Sequence, residues 1–120
     1  MRALRWGAVL GFLPLLYAAA PQPSDWVPMR WPWSDAASLE LLSGTPINCL
    51  LLKTVVPDFV QAAAARGLVT LAVIAPGGDV AGAARRAMAA KVTGIAIEGD
   101  LPEGAAGVRE AAAAVQDRSF

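Results

Sequence analysis

Three unbroken apolar runs dominate the second half of the chain, at residues 47–52, 69–75 and 92–97. Each is followed by a stretch of helical composition, and these stretches cover residues 57–66, 79–91 and 102–117. Val69-Thr70 and Val92-Thr93 match at a spacing of 23 residues, which indicates a repeated unit. Apolar runs without alternation are typical of strands covered on both faces, as in parallel sheets. The pattern therefore predicts an α/β fold of three consecutive βα units with parallel strands.

The ends of the predicted helices carry their own signals. Arg66-Gly67 marks the end of the first predicted helix, since glycine readily adopts the left-handed conformation that closes a helix. Asp79 can cap the second helix, and Asp100 with Glu103 fits a capping box for the third. These signals support the assignment of the helices.

Residues 21–34 are rich in Pro and Trp and follow no period, so we interpret them as an extended lead-in rather than an element of the fold. Ser34 or Asp35 can cap a short helix through Leu42. The predicted organisation is a signal peptide at residues 1–20, a lead-in with a short helix at residues 21–46, and a partial (βα)3 domain at residues 47–120.

The N-terminal residues predict export. Arg2 and Arg5 precede an apolar run over residues 6–20 that ends in small residues, the pattern of a secretory signal peptide. The run is too short for a membrane span of about 20 residues, and Pro14 interrupts it. We expect a periplasmic or extracellular protein, with a buried N-terminal helix as the alternative. Pro21 follows the expected cleavage position and disfavours cleavage there, which leaves open membrane contact through an uncleaved signal segment.

Charge and composition exclude several kinds of site. The sequence holds 10 Lys+Arg, 10 Asp+Glu, no His and one Cys. These counts exclude a Ser-His-Asp triad, a His-ligated metal, a Cys-rich zinc site and an internal disulfide. Zero net charge argues against nucleic acid as a partner, because such a surface needs clustered positive charge. Cys49 lies within the first apolar run, where we expect it to be buried as a small hydrophobic residue. We predict no metal and no cofactor.

Ligands of parallel α/β proteins bind where the strands end, which selects four residues of this chain. Lys53, Asp79 and Asp100 form the predicted ligand rim, and Glu98 is the candidate catalytic residue. Glu98 follows the third apolar run directly and has no capping role, and two carboxylates on one rim suit acid–base or glycosidic chemistry. The competing interpretation makes Asp79 and Asp100 helix caps. In that interpretation, Lys53 and Glu98 only end their strands in solvent and have no functional role.

A glycine-rich turn at residues 77–82 follows the second run, but it does not fit a nucleotide site. Asp79 replaces the middle glycine of a dinucleotide fingerprint and brings negative charge towards the phosphates. A P-loop would continue with Lys and Ser or Thr, where this chain has Ala83-Ala84. The turn therefore predicts no nucleotide cofactor.

Three tryptophans cluster in the lead-in, at Trp26, Trp31 and Trp33. Aromatic faces stack on sugar rings, so in an exported protein these residues indicate a carbohydrate ligand. Alternatively, the rings cover the flank of the sheet. Because the lead-in precedes the first predicted strand, this second interpretation places them at the end of the sheet opposite the ligand loops.

Three segments resemble a family of uncharacterised exported bacterial proteins with a glycoside-hydrolase-like (β/α)8 barrel. They are Trp31-Pro-Trp33, Ser38-Leu-Glu-Leu-Leu42 and Gly44-Thr-Pro-Ile-Asn-Cys49, and the likeness covers residues 26–110. The resemblance implies the first three of eight βα units. Glycoside hydrolases of this fold commonly carry their acid–base residue and nucleophile on later strands, so it also implies a chain that is inactive alone. The alternative function is a non-catalytic carbohydrate- or protein-binding module.

Three parallel strands leave two open edges, whereas a closed barrel needs about eight strands. We therefore expect an incomplete domain: a fragment, a truncated gene product, or part of an oligomer that self-associates through its open sheet edges. An isolated chain of this kind is expected to be marginally stable or associated.

Overall fold

The computed structural model describes residues 20–100 and 105–116. Its strands are β1 (Pro28–Arg30), β2 (Cys49–Leu52), β3 (Val69–Ile74) and β4 (Gly94–Ile97). Its α-helices are α1 (Pro57–Ala65), α2 (Val80–Ala89) and α3 (Ala105–Gln116), and two 3-10 helices lie at Pro23–Asp25 and Ala36–Leu42. Within this described part, no helix combines the length and the apolar character needed to cross a membrane. The predicted signal peptide, apart from Ala20, and Glu103 of the predicted capping box lie outside the described residues.

The four strands form one all-parallel sheet in the order β1-β2-β3-β4. Strands alternate with helices along the chain, so the predicted α/β class is confirmed. Each strand lies beside the one before it, an arrangement consistent with part of a (β/α)8 barrel. β2, β3 and β4 fall within the three apolar runs, and the three α-helices fall within the stretches of helical composition.

The lead-in supplies a strand that was not predicted, ahead of the three predicted βα units. β1 pairs with β2 in register, with Met29 opposite Leu50 and Arg30 opposite Leu51. The 3-10 helix Ala36–Leu42 stands between β1 and β2, where a βα unit has its helix. A strand of three residues between prolines has no readable period, and proline is tolerated at a strand start or on a sheet edge.

Asn48 fastens the lead-in to the sheet immediately before β2. Its Oδ1 accepts a hydrogen bond from the Val27 amide at 2.6 Å, and its Nδ2 donates to the Asp25 carbonyl at 3.0 Å. The Asn48 amide also donates to the Val27 carbonyl at 3.2 Å. A carboxamide offers both an acceptor and donors, so one short side chain can hold two points of a neighbouring segment. These bonds fix the register in which β1 meets β2.

The main core lies between one face of the sheet and the helices. Its buried members are Trp31, Leu39, Leu42, Leu50, Leu52, Phe59, Val60, Ala63, Ala72, Ala87 and Val92. Successive side chains of a strand point to opposite faces, and in β2 the buried Leu50 and Leu52 flank the half-buried Leu51. The helices therefore cover one face of the sheet, and we call the other the open face.

Trp31, directly after β1, anchors the second 3-10 helix to this core. The residue is 5% exposed, and its Nε1 donates to the Ser38 hydroxyl at 3.1 Å. Ser38 in turn donates to the Asp35 carbonyl at 2.7 Å. An indole N–H buried without an acceptor would be costly, so Ser38 allows this large ring to be buried. Asp35 occupies the N-cap position, but its side chain makes no capping hydrogen bond.

The stop predicted after α1 is confirmed. Gly67 has a φ of 76°, the left-handed conformation that glycine adopts without strain. Arg66 donates to the Leu39 carbonyl at 3.3 Å and forms an ion pair with Glu40. The end of α1 is thereby tied to the second 3-10 helix.

A second core packs α2 and α3 against the β3–β4 end of the sheet, on the face that the helices cover. Its members are mostly small: Val80, Ala84, Ala111 and Ala114 are buried, with Ile74, Ile95 and Ile97 packed against them. Small side chains allow the two helices to approach each other and the sheet closely, because interior packing leaves few voids.

Cys49 is fully buried at the start of β2, and burial raises the pKa of its thiol. The prediction that this residue is a buried hydrophobic side chain is confirmed. A thiol that is both inaccessible and held protonated is a poor nucleophile.

Two leucines of one 3-10 helix provide a matched test of the main core. Leu39 is fully buried, whereas Leu41 is 61% exposed. We expect Leu39→Ala to lower the free energy of unfolding by about 2–5 kcal/mol, because it leaves a cavity and loses apolar burial. Leu41→Ala should change it by less than about 0.5 kcal/mol. Urea unfolding followed by tryptophan fluorescence measures both, and equal effects would contradict this packing.

Candidate functional site

The carboxyl ends of the four parallel strands meet at one edge of the sheet. The residues there are Arg30 at the end of β1 with 31–33 after it, Lys53 after β2, 75–79 after β3 and 98–100 after β4. We call this edge the carboxyl rim. All four residues predicted for the ligand rim and for catalysis lie on it, and in parallel α/β folds this is the edge that binds ligands.

Glu98 forms an ion pair with Arg30, the last residue of β1. Arg30 Nη2 lies 2.7 Å from Glu98 Oε2. The two residues belong to opposite edges of the sheet, with three strand spacings of about 4.8 Å between them. The ion pair therefore reaches across the width of the sheet.

Arg30 lies on the open face. It is in register with Leu51, which is in register with Leu71. Residues in register share a face of the sheet, and the buried neighbours of Leu51 along β2 point towards the helices. Leu51 and Leu71 are half-buried. The ion pair thus stands at the carboxyl end of a half-buried apolar surface.

The ion pair is accessible to a ligand. Glu98 raises the pKa of Arg30, mainly through the hydrogen bond between them and also through Coulomb attraction. The side chains remain 61% exposed for Arg30 and 36% exposed for Glu98. Water screens exposed pairs, so this one adds little to stability. Its donors and acceptors are available for binding instead.

Arg30 is a site residue that was not predicted from the sequence. Its partner lies 68 positions away, and the strand that carries it is hidden between prolines. The one available signal was the alternation of Met29, Arg30 and Trp31, in which a charged residue separates two apolar ones. Three residues are too few for that alternation to decide between a strand and a loop.

The three tryptophans do not form one platform. Trp31 and Trp33 follow β1, so their predicted location at the end opposite the ligand loops is wrong, and they lie on the carboxyl rim. Their rings meet edge to face with centroids 4.9 Å apart, and Trp33 is 44% exposed. Trp26 precedes β1, donates from Nε1 to the Pro21 carbonyl at 3.2 Å, and lines a cavity with Leu71. Only Trp33 presents an exposed ring at the rim.

Lys53 lies close to the β1 end of the rim. It lines a small cavity of about 200 Å³ together with Arg30, Trp31, Pro32 and Leu51. The structure therefore brings Lys53 near Arg30, which the sequence analysis did not foresee, and it makes this end of the rim positively charged.

The carboxylate of Asp79 caps the N-terminus of α2. Its Oδ1 accepts a hydrogen bond from the Gly82 amide at 2.9 Å, at the start of α2. A side chain at position 82 would collide with this carboxylate, so glycine there fits the cap. Asp100 is exposed. Among the described residues, no hydrogen bond or ion pair joins Glu98 to Asp79 or Asp100.

The described rim presents polar side chains to solvent, with the Arg30–Glu98 pair exposed. Glycosidases use two carboxyl groups about 5–9.5 Å apart across the scissile bond. In the described part of the rim, Glu98 is paired with the guanidinium of Arg30, Asp79 caps α2, and Asp100 is exposed. Over residues 20–100 and 105–116, no three Cys, Asp or Glu side chains cluster as a metal site would require.

Comparison with protein-family models, with curated proteins and with solved structures gives no match. The likeness to exported glycoside-hydrolase-like proteins therefore stays a prediction from the sequence.

The cap of α2 can be tested by two substitutions at one position. We expect Asp79→Ala to lower the free energy of unfolding by about 0.5–2 kcal/mol, because the Gly82 amide loses its acceptor. Asp79→Asn should cost only a few tenths of a kcal/mol, at about the level seen among good N-caps. Urea unfolding measures both. An Asp79→Ala variant as stable as the parent would show that the carboxylate is free for another role.

Proposed function

We propose that this chain belongs to an exported, glycoside-hydrolase-like barrel, binds carbohydrate at its carboxyl rim, and does not cleave glycosidic bonds by itself. The observation that carries the proposal is the exposed Arg30–Glu98 pair, which spans the open face on the same rim as the exposed ring of Trp33. The resemblance of residues 26–110 to that family and the signal-like residues 1–20 support the barrel and the export.

A sugar offers hydroxyl groups on its edges and C–H groups on its faces. Arg30 supplies N–H donors and Glu98 supplies oxygen acceptors, so the pair can hydrogen-bond neighbouring hydroxyls from both sides. The indole of Trp33 supplies an apolar face on which the ring can stack. Trp31 holds that indole edge to face and is itself fixed by Ser38. A preorganised ring loses little entropy on binding.

Cleavage needs more than the described rim provides. A general acid must carry a proton on the oxygen that faces the leaving group. Here Glu98 Oε2 accepts an N–H from Arg30, and the carboxylate of Asp79 accepts from the cap of α2. With no second carboxyl group held opposite Glu98 in the described part, binding accounts for the geometry better than hydrolysis.

The binding proposal predicts a defined response to soluble oligosaccharides. The chain is produced from residues 1–120, and its recovery from the periplasm or the medium tests export in the same experiment. Cellohexaose, chitohexaose and maltohexaose are titrated in turn, with binding followed by amide chemical shifts. We expect at least one to shift residues of the carboxyl rim. Trp33→Ala and Glu98→Gln should each weaken that affinity on the order of tenfold, the equivalent of one stacking or charged contact.

Leu41→Ala serves as the matched control, because it removes an exposed apolar side chain that lies outside the rim. It should leave the affinity unchanged. Absence of binding by all three sugars, or shifts confined to residues away from the rim, would refute carbohydrate binding. Release of reducing ends that disappears in Glu98→Gln would instead show a glycosidase.

A further inference from the structure

The sheet is open at both edges in the part of the chain that the structure describes, since β1 and β4 each pair with one neighbour. A (β/α)8 barrel closes with eight parallel strands. Two copies of a four-stranded sheet supply that number if β4 of each lies parallel to β1 of the other. A two-fold axis along the barrel makes the two junctions identical and leaves no free edge.

The strand ends carry the stagger that closure needs. Arg30 ends β1, and its row across the sheet passes through Leu51 and Leu71 to Gly94. β4 continues three residues past this row, to Ile97. A barrel of eight strands with a shear of eight shifts by about one residue per strand, hence about three from β1 to β4. The observed stagger matches that value.

If the stagger continues by one residue from β4 of one copy to β1 of the other, the register of the junction between the two copies is defined. The partner's Met29 falls opposite Ile97, and the partner's Arg30 falls opposite Glu98.

The free edge of β4 borders an apolar cavity of about 380 Å³. It is lined by Ile95 and Ile97 from β4 and by Val108, Ala112 and Val115 from α3. Leu71 and Trp26 of the same chain line it as well. No charged side chain of the described residues lines it. The cavity thus borders both the edge of the sheet and α3, and a strand added beside β4 would place side chains next to it.

The free edge of β1 presents a side chain that fits this cavity. Met29 is in register with the buried Leu50 and so shares the face that the helices cover. It is nevertheless 43% exposed. Methionine is flexible and fills irregular apolar gaps well. In the derived register, the partner's Met29 enters the cavity beside Ile97.

The charges at the two edges are complementary as well. β1 ends in Arg30, and Glu98 directly follows β4. Closure sets the partner's Arg30 beside Glu98 on the adjacent strand, while Glu98 keeps its bond to Arg30 of its own chain across the barrel. The two Arg30 and two Glu98 side chains then alternate around one mouth.

We propose that two copies of this chain close one eight-stranded parallel barrel, with β4 of each beside β1 of the other. Leu51, Leu71 and Val73, half-buried on the open face, then face their counterparts across the barrel interior. The two carboxyl rims become a single mouth. The assembly goes beyond the proposed carbohydrate binding and does not depend on which ligand the rim takes.

A cysteine pair tests the junction directly. Met29→Cys and Ile97→Cys are combined in one chain of residues 1–120. Within a chain these positions lie on opposite edges of the sheet, three strand spacings and four register positions apart, which exceeds the range for a disulfide. Across the proposed junction they are direct neighbours, within that range. We expect mild oxidation to convert most of the double variant into a covalent dimer that reductant splits, and each single variant to remain uncross-linked.

The shifted pair Met29→Cys with Ile95→Cys is the matched control and should cross-link at least tenfold more slowly.

Sedimentation of the parent chain should give twice the mass of one chain. Arg30→Glu should weaken that association more than tenfold, and Arg30→Glu with Glu98→Arg should restore it, with circular dichroism verifying the fold of each variant. A monomer at 100 μM, a co-purified host protein in place of a second copy, open-ended polymers, or equal cross-linking by Met29→Cys alone would each overturn the proposal.

Discussion

The pairing of β1 with β2 is the constraint on which the rest of the structure depends. Asn48 holds it from the β2 side through its hydrogen bonds to Val27 and Asp25. Once β1 is in register, Trp31 enters the core, where Ser38 satisfies its indole N–H and fixes the second 3-10 helix. The same register carries Arg30 to the carboxyl rim, where it meets Glu98. Packing of the first unit and formation of the candidate site are therefore consequences of one short strand.

Most of the fold could be predicted from the sequence because its signals are local. Continuous apolar runs gave β2, β3 and β4, and the signals at Gly67 and Asp79 marked a helix end and a helix start that the structure contains. β1 could not be predicted, since it has three residues and derives its stability from a partner strand and from Asn48 rather than from its own composition. Without β1, Arg30 has no predicted position, and Trp33 is assigned to the wrong end of the sheet.

The sheet is unequally covered, and this explains how fold and function are connected. Parallel sheets normally bury both faces, yet here the helices cover one while Leu51, Leu71 and Val73 on the other remain half-buried. Exposed apolar area of this kind favours association. The polar groups of the open face lie at its carboxyl end, so a partner that buries the apolar rows leaves the Arg30–Glu98 pair at the mouth. Assembly through the edges and binding at the rim are thus compatible.

Hydrogen exchange of the Trp31 amide tests the central role of β1 most directly. This amide donates to the Leu51 carbonyl at 2.9 Å, and the Val69 amide donates to the Asn48 carbonyl at the same distance on the other side of β2. If β1 is a strand of the sheet, Trp31 will be protected to within about tenfold of Val69, because both open with the same structural unit. Exchange of Trp31 at the rate of an unfolded peptide, with Val69 still protected, would contradict the four-stranded sheet and the site built on it.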